Sequence, residues 1–261
     1  MRALRVLAAI VAALGVLAAW RFTFPVSCAA LAAPAAVLIL VGLGLRESGV
    51  ARRRFFASFY FKDGTWLRAL FSRTLLVSIL AFLTATIPVA ALCLDLTTWS
   101  PNELALLAAN AVVLLVLMRM FEALLRSGAE PAILPVLVKR WSVAVNTLLL
   151  LAGLAMVRLY TPAPAYVDPS LVVMIETASA QLGSDCAWID AALQLQIGKE
   201  ALGWWLIGWS EGRLGGGEAE YLRWLAWILF LVSGSFSAFA YSWFLAHIMH
   251  LADHAGAPQR G

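Results

Sequence analysis

The sequence predicts an all-α polytopic membrane protein: about six transmembrane helices, an interfacial amphipathic helix on the inner side and a helical cap on the outer, periplasmic side. Three observations carry this expectation. Of 261 residues, 62% are hydrophobic and 13% charged, against roughly half and a quarter in a soluble domain. Mean hydropathy is +0.86. The apolar residues come in continuous runs without period-two alternation, which selects helices over a transmembrane barrel. A soluble fold of this size has no place to hide so much apolar surface, so lipid solvates part of it. That excludes a soluble enzyme, a disordered scaffold and a nucleic-acid-binding domain.

A helix needs about 20 apolar residues to cross a ~30 Å hydrocarbon core. Six segments qualify: Leu4 to Trp20, Pro25 to Leu45, Thr74 to Leu94, Leu104 to Leu124, Trp141 to Tyr160 and Tyr221 to Ala246. The first has the basic start of a signal peptide in Arg2 and Arg5. Its cleavage pattern is poor, with Leu17 where a small residue is needed upstream of Ala19, so an uncleaved helix is expected. A tight turn over Arg21 to Pro25 joins it to the second span and completes a hairpin over residues 1–45, with Pro25 suited to a first helical turn. Pro34 and Pro88 fall inside spans two and three, where each is expected to kink its helix.

Charge sets the orientation. With the N-terminus cytoplasmic, 14 of the 19 basic residues fall on inner segments and 10 of the 15 acidic residues on outer ones. The positive-inside rule then favours both termini in the cytoplasm. The excess of arginine over lysine, 16 to 3, suits a GC-rich bacterial genome, and the expected location is a bacterial inner membrane. Tryptophans agree: Trp20, Trp99, Trp204, Trp205, Trp209, Trp224 and Trp227 fall near the outer boundary, and Trp66, Trp141 and Trp243 near the inner one, where amphipathic rings settle.

Residues 46–73 form a basic inner segment. Arg52, Arg53 and Arg54 precede Phe55, Phe56, Phe59 and Tyr60, whose i, i+4 pairs make an aromatic stripe beside a cationic cluster. This pattern suits a helix in the headgroup region of an anionic inner leaflet, serving at least as a topology anchor. Residues 74–160 carry spans three to five. Between the last two, Gly128, Pro131 and Pro135 break the helix.

Residues 161–220 form the outer cap. Asp168 and Pro169 read as an N-cap and first-turn proline for a helix ending at Gly183. Ser184 or Asp185 caps the next, which runs towards Trp209. Its last part, Ala201 to Trp209, is apolar but too short to span, and is read as interfacial or tucked against the bundle. With eight acidic and two basic residues from Asp168 to Glu220, the cap is a partner-docking surface, the lining of a vestibule or a solvated lid. Residues 221–261 hold span six and a cytoplasmic tail.

Few residues suggest chemistry. His247, His250 and His254 fall on one narrow face of a helix. Imidazoles bind zinc, copper or iron and serve as axial haem ligands, but one helix rarely supplies three tetrahedral ligands, and a histidine is also welcome at a helix C-terminus. No ionisable group stands near the middle of any span, where proton- or ion-coupled transport would need one. Asn110 and Asn146 are expected to hydrogen-bond between helices, and Ser233, Gly234 and Ser237 lie in small-residue spacing that permits close helix approach. Arg119 and Glu122 pair at i, i+3, while Arg158 and Glu103 sit near the outer interface. Cys28 and Cys93 lie in apolar runs and read as core residues, leaving Cys186 alone on the aqueous side without a disulfide partner.

No nucleotide fingerprint, nucleophile elbow or zinc motif is present, and no internal repeat supports an inverted-repeat transporter. The cofactor is left unknown and catalysis is not expected. The reading that follows is a non-catalytic subunit of a larger envelope assembly, such as a secretion or transfer machine, with other membrane or periplasmic subunits as partners and no nucleic acid. A small oligomeric channel or carrier, and a metal or haem protein built on the histidines, stand beside it.

Overall fold

The computed structural model describes residues 2–60, 74–131, 133–161, 164, 167–168, 170–210 and 220–254. Among them are eight α-helices and no strand. The helices are α1 (Arg2–Thr23), α2 (Ala32–Tyr60), α3 (Thr74–Thr98), α4 (Pro101–Leu125), α5 (Leu134–Tyr160), α6 (Leu171–Gln181), α7 (Ala187–Ser210) and α8 (Glu220–His254). A 3₁₀ turn, Cys28–Leu31, leads into α2.

Six helices are long and apolar enough to cross a membrane: α1, α2, α3, α4, α5 and α8. The described residues are all-α, and their six long apolar helices are consistent with a polytopic membrane protein. Their outward faces are still apolar, with Leu83 and Ile87 of α3 and Leu148 of α5 more than half exposed. That is the surface lipid would cover.

α8 is the hub. It packs against α1, α2, α3, α4, α5 and α7, and the stretch from Ala240 to His247 is buried throughout. Such a helix must pack on every side rather than along one stripe. The other strong pairings are α2 with α3 and α4 with α5, each between neighbours in sequence.

Several boundaries depart from expectation. α2 does not stop near Leu45 but runs unbroken to Tyr60, taking Arg52 and Arg53 with it; the side chains of Arg54, Phe55, Phe56, Phe59 and Tyr60 lie outside the described residues. Pro34 falls in the first turn of α2, where it displaces no helical hydrogen bond, while Pro88 is inside α3. Pro25 belongs to the α1–α2 turn rather than to a helix. After the turn at Gly128, Pro135 opens α5 in its first two positions, so this proline starts a helix instead of breaking one. The N-cap of α6 is Ser170. Asp168 serves the preceding turn, accepting the Ser170 N–H at 2.9 Å.

The tryptophan belt also needs correction. Trp20, Trp99 and Trp243 are buried in the bundle. Trp20 donates its indole N–H to the Cys93 carbonyl of α3 at 2.6 Å. In an apolar run this wide ring, with its single donor, can be held by one backbone acceptor as readily as by interfacial water.

Candidate functional site

The site lies at the end of the bundle that carries α6 and α7, here termed the cap side. α4 begins there with a Ser100-Pro101-Asn102-Glu103 capping box. The Ser100 side chain accepts from the Glu103 N–H, and Glu103 Oε2 accepts the Ser100 N–H at 2.7 Å. This fixes the Glu103 carboxylate at the helix start, where negative charge is favoured. Its second oxygen, Oε1, accepts from Arg158 Nε of α5 at 3.0 Å.

Arg158 reaches further. Its Nη2 lies 3.4 Å from Glu200 Oε1 on α7, and its guanidinium sits over the Phe230 ring of α8 at 4.8 Å. One cation thus ties α4, α5, α7 and α8 together. Glu200 Oε1 also accepts from Thr98 Oγ1 at 2.8 Å and Gln196 Nε2 at 3.2 Å. Among the described residues Oε2 of the same carboxylate has no partner. Burial pushes the Glu200 pKa above the ordinary carboxylate range, against the opposing pull of Arg158.

A second pair adjoins the first. Lys199 Nζ of α7 stands 2.7 Å from Asp95 Oδ1 of α3 and 2.7 Å from Ser233 Oγ of α8. Gln196 donates to the same Asp95 oxygen at 2.9 Å, and Ser237 donates to Oδ2. Asp95 is 2% exposed. A buried carboxylate survives only when its lone pairs are answered in this way.

Depth is the unexpected feature. Asp95 is three residues from the end of α3, yet it meets Ser237, the midpoint of α8 (Glu220–His254). At ~1.5 Å per residue, Ser237 is about 25 Å from either end of its helix. Arg158, two residues from the end of α5, meets Phe230 instead, roughly 10 Å nearer the start of α8 by the same rise. The α3–α4 turn is therefore recessed below the cap-side end of α5, and α7 fills the recess. The network of ionisable groups thus packs beside the midpoint of α8, although Asp95, Glu103 and Arg158 each lie off the middle of their own span. Asp95 closes the end of α3 against a helix that continues about 25 Å further towards the cap.

Two further restraints hold the cap. Cys28 and Cys186 form a disulfide, Cα–Cα 4.9 Å, across 158 residues of sequence. Beside it, Ser184 Oγ donates to the Phe24 carbonyl at 2.6 Å and the Asp185 N–H to the Pro25 carbonyl at 3.0 Å. This overturns the expected unpaired Cys186. Cys28 was assigned to the interior of an apolar run, but the 3₁₀ turn before α2 brings it to the cap-side end. Cys93 is free and buried. Gly203 lets α7 approach α8 closely, because a Cβ there would stand 2.5 Å from Phe230 Cζ.

Between these parts opens a cavity of about 680 Å³, lined by Arg21 and Phe24, by Thr98, Glu103 and Arg158, and by Gln181, Glu200 and Trp204. It is mixed in character: two guanidiniums, two carboxylates and aromatic walls. Such a set can hold a small polar or charged solute.

The residues singled out from sequence fall in different places. Ser233 and Ser237 belong to the charged network as partners of Lys199 and Asp95. Gly234 makes ordinary contact with Leu151. Asn110 and Asn146 exchange hydrogen bonds of 3.1 and 2.9 Å, and Asn146 also donates to Ser242 at 2.8 Å.

Towards the other end, His247 is 1% exposed, its Nδ1 3.1 Å from Lys139 Nζ and 3.7 Å from Glu47 Oε2. His250 instead lines a small cavity with Arg119 and Asp253. The His254 side chain lies outside the described residues. Among those described, no group of three or more His, Cys, Asp or Glu side chains is placed to hold a metal ion. Arg119 pairs with both Glu122 and Asp253.

Asp95, Lys199, Glu200 and Gln196 were not recognised from sequence. Two signals existed. Gln196, Lys199 and Glu200 fall at i, i+3 and i+4, a polar cluster on one side of a mostly apolar helix. Ser100-x-x-Glu103 is a capping box readable directly. Comparison with known proteins adds no identity: no family model, no curated protein and no solved structure matches the chain.

Proposed function

We propose that this chain is a non-catalytic integral subunit of a larger multi-protein envelope assembly, and that its cap is the docking element for other membrane or periplasmic subunits. One observation carries the reading. On α7, Trp188 and Leu195 are 81% and 78% exposed. They are seven residues apart, two turns on one face, and Leu202 continues the stripe. α7 cannot turn this stripe inward, because Cys186 is bonded to Cys28 and Glu200 is paired with Arg158 on the far side of the helix. A fixed, exposed apolar stripe of this kind marks an interaction surface.

The orientation belongs to the same proposal: a bacterial inner membrane, both termini cytoplasmic, and the helix bearing Arg52 and Arg53 meeting the anionic inner leaflet. The cap-side disulfide suits an oxidising compartment, and the basic residues gather at the opposite end. The test is co-purification from native membranes in mild detergent. The wild-type chain is expected to bring defined partner chains. Trp188→Glu with Leu195→Glu is expected to lose them while the disulfide still forms. A monodisperse wild-type monomer would contradict the reading.

A small channel or carrier is the second reading, favoured by the 680 Å³ cavity and the charged groups beneath it. Ionisable groups at membrane depth are costly and mark solute or ion pathways. Solute flux into liposomes holding only this chain, lost in Glu200→Gln, would favour the carrier over the subunit.

A further inference from the structure

On the side opposite the cap, α2 and α5 barely meet. The gap between them is a cleft of about 540 Å³, backed by Phe239 and Trp243 of α8. Its walls are apolar along most of their length, including Leu45 and Gly49 of α2 and Val143, Ala144 and Leu148 of α5. Arg52 of α2 and Arg140 of α5 line it as well. Both are exposed, and neither has an acidic partner among the described residues.

The arrangement is amphipathic along one axis. Arg140 precedes Leu148 by eight residues, about 12 Å of helix, so the guanidinium and the apolar wall are separated by roughly the distance between a headgroup and an upper acyl chain. The back wall is fixed. Phe239 and Trp243 lie against each other at a tilt of 32°, 5.7 Å between centroids, and Lys139 sits over the Trp243 ring at 5.3 Å. On the far side, a Cβ at Gly44 would stand 2.8 Å from Trp243 Nε1, so α2 approaches that ring closely and the ring has little room to swing.

We propose that this cleft is a specific site for one anionic phospholipid, with its phosphate held between Arg52 and Arg140 and an acyl chain laid against Val143, Ala144 and Trp243. Charge complementarity selects the occupant. Two unpaired guanidiniums at the polar end of an apolar cleft match a phosphodiester on a hydrocarbon tail, and basic pockets between transmembrane helices bind anionic headgroups in this way. A soluble anion would leave the apolar walls unfilled; a zwitterionic lipid would set its own cation against the arginines. The inference rests on the chain being embedded in a bilayer and is independent of what docks on the cap.

Native mass spectrometry of the full chain, released from detergent with equal phosphatidylglycerol and phosphatidylcholine present, tests it. One phosphatidylglycerol is expected to stay bound under conditions that strip phosphatidylcholine. Arg52→Gln with Arg140→Gln is expected to reduce that retention about tenfold or more, from the usual contribution of basic residues near anionic lipid. Ala144→Phe, which fills the cleft and keeps both arginines, is expected to reduce it comparably. Arg5→Gln with Arg126→Gln, distant from the cleft, should leave it unchanged.

In each variant, formation of the Cys28–Cys186 disulfide and an unchanged unfolding temperature identify a folded chain. Equal retention of the two lipids by the wild type overturns the proposal. So does a loss produced equally by the distant arginines, or retention that survives Ala144→Phe, since either assigns the effect to diffuse charge rather than to the cleft.

Discussion

Between α4, α5 and α8, Asn110, Asn146 and Ser242 make a short chain of neutral hydrogen bonds. On the cap side of it, Asp95, Glu103, Arg158, Lys199 and Glu200 make a charged one. The first is small and buried, and lines neither the cap-side cavity nor the cleft between α2 and α5; the second is larger, joins five helices and opens on a solute-sized space. Amides pay little to be buried when paired with each other, so they can serve as helix glue anywhere in the bundle. Carboxylates and guanidiniums tolerate the same depth only where geometry answers nearly every lone pair. The charged network therefore specifies how α7 seats on α3, α4, α5 and α8, and the neutral one only how three spans lie side by side.

The comparison predicts unequal costs. Arg158→Ala removes the cation shared by Glu103 and Glu200 and leaves two buried carboxylates facing one another. A loss of about 3–5 kcal/mol is expected, the usual result of breaking a buried pair from one side. Thermal unfolding in detergent measures it. Adding Glu103→Gln and Glu200→Gln to Arg158→Ala should recover much of the loss, because the uncompensated charges go with their partner. If the triple variant is no more stable than the single one, Arg158 acts through its contact with Phe230 and not through charge.

Reduction of the Cys28–Cys186 bond comes next. It closes a 158-residue separation, and loss of such a link typically costs about 2–4 kcal/mol. Reductant should lower the unfolding temperature of the wild type and leave Cys28→Ser with Cys186→Ser unmoved. Labelling of the freed thiols from either side of the membrane would report which compartment the cap faces. The neutral chain is weaker: Asn146→Val is expected to cost about 0.6–2 kcal/mol, the range for interhelical hydrogen bonds in membranes, and to leave disulfide formation unchanged.

The six spans were legible because hydropathy is written locally; a run such as Leu75 to Leu94 needs lipid whatever it packs against. The disulfide was not legible, because pairing Cys28 with Cys186 depends on where α1, α2 and α7 end in space. Asp95 went unrecognised for a related reason. Its position along α3 is a sequence fact, but its partners Lys199 and Ser237 come from α7 and α8. Trp20, Trp99 and Trp243 show the same limit: composition says where an indole is comfortable, and packing decides whether it reaches the interface. Ser100 and Glu103 differ, since their capping box is a local pattern that sequence contains in full.

The smallest expected effect is a pH dependence located at Glu200. Burial holds its pKa above the ordinary carboxylate value of 4.5, so between that value and the raised one the folded chain carries more bound proton than the unfolded chain. Stability then falls as pH rises across that interval, which is opposite in sign to the behaviour of a carboxylate held below its ordinary range. Glu200→Gln removes the titration and can keep an acceptor for Thr98 and Gln196. The difference in unfolding temperature between wild type and Glu200→Gln should move in the variant's favour as pH is raised from about 4.5 towards neutrality. A difference that stays flat, or moves the other way, would mean that Arg158 prevails over burial and Glu200 is ionised throughout, and the cavity it lines would then carry its full charge facing Arg158 and Arg21.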